Sequence, residues 1–518
     1  MAEEVGTRLG TGCVLLQALQ ESPPSARVTT SVDTLIIGAG YAGLGAGLYL
    51  AEQGKSVAIC EALKYPGGCA STFYKGDLGF EAGATLFSGF HEQGLFRRWI
   101  DRHNMPVEFE LLDPIIDFRT ADWRLQISPD RQTTIDRFCA LPGAPQAAIR
   151  SFFAYQHRIA EVLWPMFEDG DRVPPFTLKG LGWHAGRAWK YPKLWSVMNR
   201  SLWSVLESYG LTSYAPMVQY CNAVCQITIQ TTARDSEALF ALSAMDYLFR
   251  GTGHIHNGIG QLGFAFVNAI RACGGEVSLS NRVKRLERQS DGWLVQTRQR
   301  SYRARRVLAN LLPGSISKLV EGVAEPDAVQ QYTEKLRQGW GAGMLYLLLK
   351  DHEGLPESAH HYQCIATHAP QLHEGHHIFC SLSGRSEREK CPEGYRTATV
   401  STHIPMRTQL SLPNAEAQAT YTLQVQDCMR ATLKARLPEV HDAIHTEHTA
   451  SPRTYQRFTG RPSGCVGGIP RTRGWHNYSG LLPAPLYPNL WMIGDTVFPG
   501  QSTLATALGG IRVARWVG

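Results

Sequence analysis

The sequence predicts an α/β chain of two domains, and three features predict it. The chain has 518 residues, too many for a single hydrophobic core. Near its start a short apolar run, Thr34 to Ile37, leads into glycines and then into a second apolar run ending at Glu61. Near its end another apolar run, Leu490 to Ile493, leads into Gly494-Asp495 and a segment of small residues. Runs of that length suit strands buried on both faces.

In the first stretch, "DTLIIGAGYAGLGAGLYLAEQGKSVAICE", Gly38, Gly40 and Gly43 form a G-x-G-x-x-G pattern. The first glycine permits a tight turn, and the second lets backbone approach a pyrophosphate. The third lets the following helix pack closely on the strand. That helix is expected from about Gly43 to a stop at Gly54, and its unpaired N-terminal N–H groups suit phosphate. Glu61, at the end of the second strand, places a carboxylate where it accepts both ribose hydroxyls and repels a 2′-phosphate. Strand, glycines, helix, strand and acid together predict a Rossmann-like dinucleotide unit; on these residues FAD and NAD both remain.

The next segment, "ALKYPGGCASTF", carries the doublet Gly67-Gly68. It offers backbone N–H groups to a second phosphate or a sugar alcohol, although Pro66-Gly67 also suits a plain type II turn. At the other end, "PNLWMIGDTVFPGQSTLATALGG" repeats the arrangement of strand, Gly494-Asp495 and helix opening near Ser502 and Thr503. Asp495 suits a ribityl hydroxyl, and the helix N-terminus suits a flavin carbonyl or the ribityl chain. Two such turns at opposite ends of one chain favour a long cofactor.

With "PGGCASTF", "GATLFSGF" and "GDTVFPGQSTLATALGG" added to the first motif, the chain resembles the FAD-dependent carotenoid desaturases and isomerases. That group includes phytoene desaturase, carotene isomerase and the 3,4-desaturases, and it is related to retinol saturase. Two internal segments, Thr231 to Glu287 and Ser451 to Gly468, resemble the family's central and late substrate-domain blocks. The resemblance implies a discontinuous Rossmann-like FAD-binding domain of the amine-oxidase/phytoene-desaturase type with an interleaved α+β substrate domain. The tail would be 1–30. The FAD domain would come from 31–110, 251–325 and 475–518, and the substrate domain from 111–250 and 326–474. It also implies that Val283 sets backbone against adenine. Many amine-oxidase relatives carry Arg after the glycine doublet, where this chain has Cys69; that departure argues against amine oxidation. No cysteine stands in the C-terminal motif, so non-covalent FAD is expected.

The implied activity is oxidoreduction of a carotenoid or similar isoprenoid polyene, by desaturation or flavin-assisted cis–trans isomerisation. Alternatives are a retinol-saturase-like reductase, a non-catalytic prenyl-lipid carrier of the GDP-dissociation-inhibitor type, and a flavin amine oxidase. A flavin takes a hydride, so the protein must hold the substrate's carbon against it and exclude water. No side chain is assigned a catalytic role. His254 and His256, in "GTGHIHNGIGQLG", are the polar groups expected on the substrate side, with an ordinary turn role the simpler reading. Asp246 and Arg250 are read as structural charges, and Cys221/Cys225, at helical spacing, as buried packing.

Composition narrows the partners. With 43% hydrophobic and 19% charged residues the chain is an ordinary globular protein. A net charge of +6 without a Lys/Arg run interleaved with aromatics speaks against nucleic acid. Twelve cysteines without paired zinc-ligand spacing predict free thiols in a reducing compartment and no metal site. No apolar run is long enough to span a bilayer; "MLYLLLK" reads as a buried strand. A soluble or peripherally membrane-associated protein, on the cytoplasmic side, is the expectation.

Overall fold

The computed structural model describes residues 29–174, 176–366 and 372–518; the first 28 residues of the expected tail lie outside them. In chain order the elements used below are β1 (Thr29–Ile37), α1 (Tyr41–Glu52), β2 (Val57–Cys60), β3 (Ile116–Arg119), β4 (Arg124–Ile127), α2 (Gln146–Phe167), α3 (Leu178–Ala185), α4 (Gly260–Ala272), β5 (Glu276–Ser278), β6 (Val283–Gln289), β7 (Gly292–Thr297), β8 (Ser301–Ala309), β9 (Trp340–Lys350), β10 (His360–Ile365), β11 (His377–Leu382), β12 (Tyr395–Pro405), β13 (Ile444–Ala450), β14 (Leu490–Met492) and α5 (Thr503–Val517).

β1 is longer than its apolar half because its polar half also finds a partner: Thr29 to Ile37 pair in parallel with Ser301 to Ala309. β1 also pairs in parallel with β2, and β2 with β5. The sheet continues from β8 through the antiparallel strands β7 and β6, and β14 joins β8 in parallel. α1 starts two residues before the expected Gly43, capped by Gly40, and Gly54 follows it at φ +69°. A Cβ on Gly43 would stand 2.1 Å from the Gly38 carbonyl oxygen, and one on Gly47 2.5 Å from Ile59 Cδ1. Both glycines therefore serve the close helix–strand approach.

The chain's last segment is bound to its first turn twice over. β14 shares a sheet with β1, and α5 crosses α1 on small residues. A Cβ on Gly45 would lie 2.9 Å from the Ala507 carbonyl, and one on Gly510 2.1 Å from that of Ala42. Such near-contact of backbones gains dispersion energy that side chains would obstruct.

A second sheet has seven strands in the order β13–β9–β12–β11–β10–β3–β4. It joins residues 116–127 to residues 340–450, so segments on either side of the middle dinucleotide piece meet in it. β9 contains the run "MLYLLLK" and is buried along almost its whole length, between β12 and β13. Cys221 and Cys225 are fully buried on the helix Ala215–Thr228.

Candidate functional site

A cavity of about 580 Å³ gathers residues from both ends of the chain and from the second sheet. Gly38, Gly40, Glu61, Gly67, Gly68, Val283, Asp495, Ser502 and Thr503 line it. Gly43 and Gly494 stand behind the wall, against the Gly38 carbonyl and the Asn310 side chain.

The first turn and the glycine doublet form one backbone floor. Gly67 N–H donates to the Ala39 carbonyl at 2.8 Å, and Gly67 bridges to Gly40. Gly67 and Gly68 have φ of +105° and +63°, the left-handed region that glycine adopts without strain. A Cβ on Gly68 would lie 3.5 Å from Gly40 Cα. Asn310, at the end of β8, closes the space between the two ends of the chain. A Cβ on Gly40 would be 2.6 Å from Asn310 Nδ2, and one on Gly494 2.6 Å from its Oδ1. Asn310 N–H donates to the Ile37 carbonyl at 2.9 Å.

Glu61 is buried, and its carboxylate accepts from Ala39 N–H at 2.7 Å and Leu63 N–H at 2.8 Å. Burial pushes its pKa up, opposed by those backbone bonds. Two accepted bonds leave lone pairs for further donors such as hydroxyls. Asp495 meets a partner the motif did not reveal: Arg461 Nη2 lies 2.8 Å from its Oδ2. Burial pushes the Asp495 carboxyl up, and the Arg461 guanidinium pulls it back. Arg461 also donates to the carbonyls of Cys465 and Gly467. Ser502 caps α5 by accepting from Ala505 N–H at 3.0 Å. Two polar atoms on cavity-lining residues, Thr503 Oγ1 and Gln230 Oε1, are buried without a hydrogen-bond partner, which is costly unless something else meets them.

The far wall is sheet. Ala342 and Met344 of β9, Phe379 of β11, and Ser401, Thr402 and His403 of β12 line it. Burial, helped by nearby His373, lowers the His403 pKa to about 4, so the imidazole is neutral near pH 7. Behind Thr85, which also lines the cavity, Ser381 Oγ donates to Thr85 Oγ1 at 2.5 Å. His361 Nδ1 lies 2.8 Å from Ser381 Oγ. Burial holds His361 well below the usual histidine range.

His254 and His256 are not part of this wall. His254 is buried with Nε2 2.5 Å from Glu387 Oε1, and His256 N–H donates to the Glu108 carbonyl at 3.0 Å. Burial opposes ionisation of Glu387, but Lys390 and His254 hold its carboxyl far below the ordinary range. Lys390 in turn lies 2.8 Å from Glu81, which accepts from Thr72. This buried network clamps the hairpin 72–81 to the segment 384–390. The glycine-rich turn packs behind that hairpin, with Gly260 N–H donating to Thr72 Oγ1. Asp246 is paired with Arg131 and, at 3.0 Å, with Arg250.

Residues 36–103 match the family of NAD(P)-binding Rossmann-like domains. A chloroplastic prolycopene isomerase of an Oncidium hybrid cultivar is 22% identical over 522 residues, covering 94% of this chain and 83% of its own. The human all-trans-retinol 13,14-reductase is 34% identical over 302 residues, covering 53% of this chain and 45% of its own. Among solved structures, the cyclohexylamine oxidase of Brevibacterium oxydans superimposes with a TM-score of 0.57 at 15% identity, covering 94% of this chain and 97% of that one. The last likeness is one of fold. No helix among the described residues is long and apolar enough to cross a membrane. The chain is thus similar over 94% of its length to a prolycopene isomerase, and over 53% of it to a retinol reductase.

Proposed function

We propose that this relative of the carotenoid isomerases is a non-covalent FAD enzyme acting on a carotenoid or similar isoprenoid polyene, by desaturation or flavin-assisted cis–trans isomerisation. One observation carries the reading: a single cavity has a glycine-lined backbone floor at one end and the sheet residues Ala342, Met344 and Phe379 at the other. The glycine end fits FAD. Gly67 and Gly68 hold the left-handed backbone that favours glycine, Glu61 retains acceptor capacity for ribose, and Thr503 Oγ1 lacks a partner. The N-terminus of α5 presents a positive dipole end beside Ser502 and Thr503.

Bound FAD would supply hydride acceptance and return. The chain's own residues bind and orient. Covering each 100 Å² of apolar substrate is worth about 2.5 kcal/mol, so the apolar part of the wall, Ala342, Met344 and Phe379, binds a hydrocarbon that offers no hydrogen bonds. His403 stays neutral near pH 7 and so keeps that wall free of charge. The Thr85 hydroxyl, backed by Ser381 and His361, is placed to hold a proton at the cavity wall. A proton donor matters most for a reduction, and the 34% identity to the human retinol 13,14-reductase keeps a saturase-like reaction as the second reading.

The test is purification without added cofactor, inspection of the flavin spectrum, and incubation with a panel of acyclic carotenes and retinoids. Flavin and a changed isomer or saturation pattern are expected. Colourless protein, or unchanged chromatograms under both oxidising and reducing conditions, would overturn the reading.

A further inference from the structure

The helix Ala215–Thr228 ends at the cavity, where the C-terminal turn meets the second sheet. Ile227, Thr228, Gln230, Gln501 and Gly467 form that corner of the lining. Both amides there are already oriented. Gln230 Nε2 donates to the Val466 carbonyl at 3.0 Å, and Gln501 Nε2 donates to the Ile227 carbonyl at 2.9 Å. A carbonyl only accepts, so each amide nitrogen is fixed on its backbone partner and each Oε1 is the end left over. No donor among the described residues meets either oxygen. Gln230 Oε1 is buried without a partner, and Gln501 makes no hydrogen bond beyond the one to Ile227.

The chain goes to some length to keep this arrangement. Gln230 holds φ at +60°, the left-handed region, without being glycine, and such a conformation persists only where its surroundings impose it. Trp340 Nε1 does so by donating to the Gln230 carbonyl at 2.8 Å. Gly467 supplies the room: a Cβ there would stand 1.8 Å from Gln230 Nε2 and 2.3 Å from Gln501 Oε1.

The corner suits a neutral donor. The carbonyl end of the helix carries partial negative charge, which disfavours an anion. A buried ammonium would need a free carboxylate. Among the described residues the acids lining the cavity are Glu61, at the dinucleotide end, and Asp495, which Arg461 already holds. An O–H group remains.

We infer that Gln230 and Gln501 read a hydroxyl on the substrate, so that among isoprenoid polyenes of one skeleton the chain prefers the alcohol. The inference deepens the proposed function and rests on it. Ala342, Met344 and Phe379 hold hydrocarbon whatever its end group, and the two amides add selection. A methyl ether only accepts hydrogen bonds, so it would set oxygen against oxygen here. A plain hydrocarbon would leave both acceptors covered and unmet.

The test is binding of matched ligands to the full chain with its flavin, read by tryptophan quenching in detergent solution. One set is all-trans-retinol and its methyl ether; the other is zeaxanthin, its dimethyl ether and β-carotene. The alcohol of each set should bind about tenfold or more tightly than its ether or the hydrocarbon. Gln230→Met and Gln501→Met, close in size but without an amide, should each bring that ratio towards one by weakening the alcohol alone. Flavin content reports that each variant is folded. Equal binding across a set by the wild type would overturn the inference and leave the proposed function standing. So would a preference that survives in both variants, including variants that release flavin, because the amides would then serve the cofactor. If no member of either set bound, the proposed function would fall and this inference with it.

Discussion

At the dinucleotide end of the cavity the lining is backbone, whereas at the sheet end it is side chains. Gly38, Gly40, Gly67 and Gly68 bring bare backbone and empty space, with the N–H groups of Gly38 and Gly67 given to the Cys60 and Ala39 carbonyls, and their positions are set by turns a few residues long. Ala342, Met344, Phe379 and His403 come from three different strands, and sheet pairing alone makes them neighbours. At the first end a Cβ on Gly67 would stand 2.5 Å from the Ala70 carbonyl oxygen. The second can change its side chains while the pairing persists, which is how one fold accommodates different substrates.

Arg461 joins the two ends, so its removal is the strongest way to break the contrast. It lies after the second sheet's last strand and pairs with Asp495 of the C-terminal turn, both mostly buried. Arg461→Met leaves a buried carboxyl without its partner and should cost about 3–5 kcal/mol of stability. Adding Asp495→Asn should recover much of that loss. Denaturant unfolding of the wild type and the two variants measures it; a single variant as stable as wild type would mean that the pair carries no weight.

This contrast also explains what was legible in the sequence. The glycine turns, Glu61 and the Gly494-Asp495 loop are local: spacing alone announces them. Asn310 carries no motif, and it acts only because β8 delivers it between Gly40 and Gly494. The contact of Ser381 with Thr85 links positions 296 apart. His254 stands in a glycine-rich turn that suggests a site, but its partner Glu387 is 133 positions away and turns it into structure. Arg461 lay within a segment whose family likeness was visible, yet its ion pair was not. Long-range side-chain partnerships leave no periodic trace.

The sheet end should be the more sensitive to acid. His403, half-buried at the cavity wall, is held neutral, with its pKa lowered to about 4 from an unfolded value near 6.5. Between those values the unfolded chain binds a proton that the folded chain refuses, so stability falls as pH drops from 6.5 towards 4. The full difference is on the order of 3 kcal/mol. Denaturation midpoints at pH 6.5 and 4.5 should therefore converge in His403→Gln relative to wild type. An unchanged pH dependence would place the acid sensitivity elsewhere, with His361 and His377 the next groups to replace.

The finest test concerns Asn310, where only a side chain, not the backbone, is asked to serve the dinucleotide end. Asn310→Ala keeps the N–H bond to Ile37 and the pairing of β8, so stability should hardly move. What it removes is the amide that fills the gap between Gly40 and Gly494. Loss of one polar contact of that kind weakens cofactor binding about tenfold, or about 1.4 kcal/mol, read by flavin titration of stripped protein. Met344→Ala, on the sheet wall, should leave flavin affinity alone and alter the substrate's KM instead. If Met344→Ala released flavin and Asn310→Ala did not, the cofactor would be gripped from the sheet, and the division between a backbone end and a side-chain end would have to be reversed.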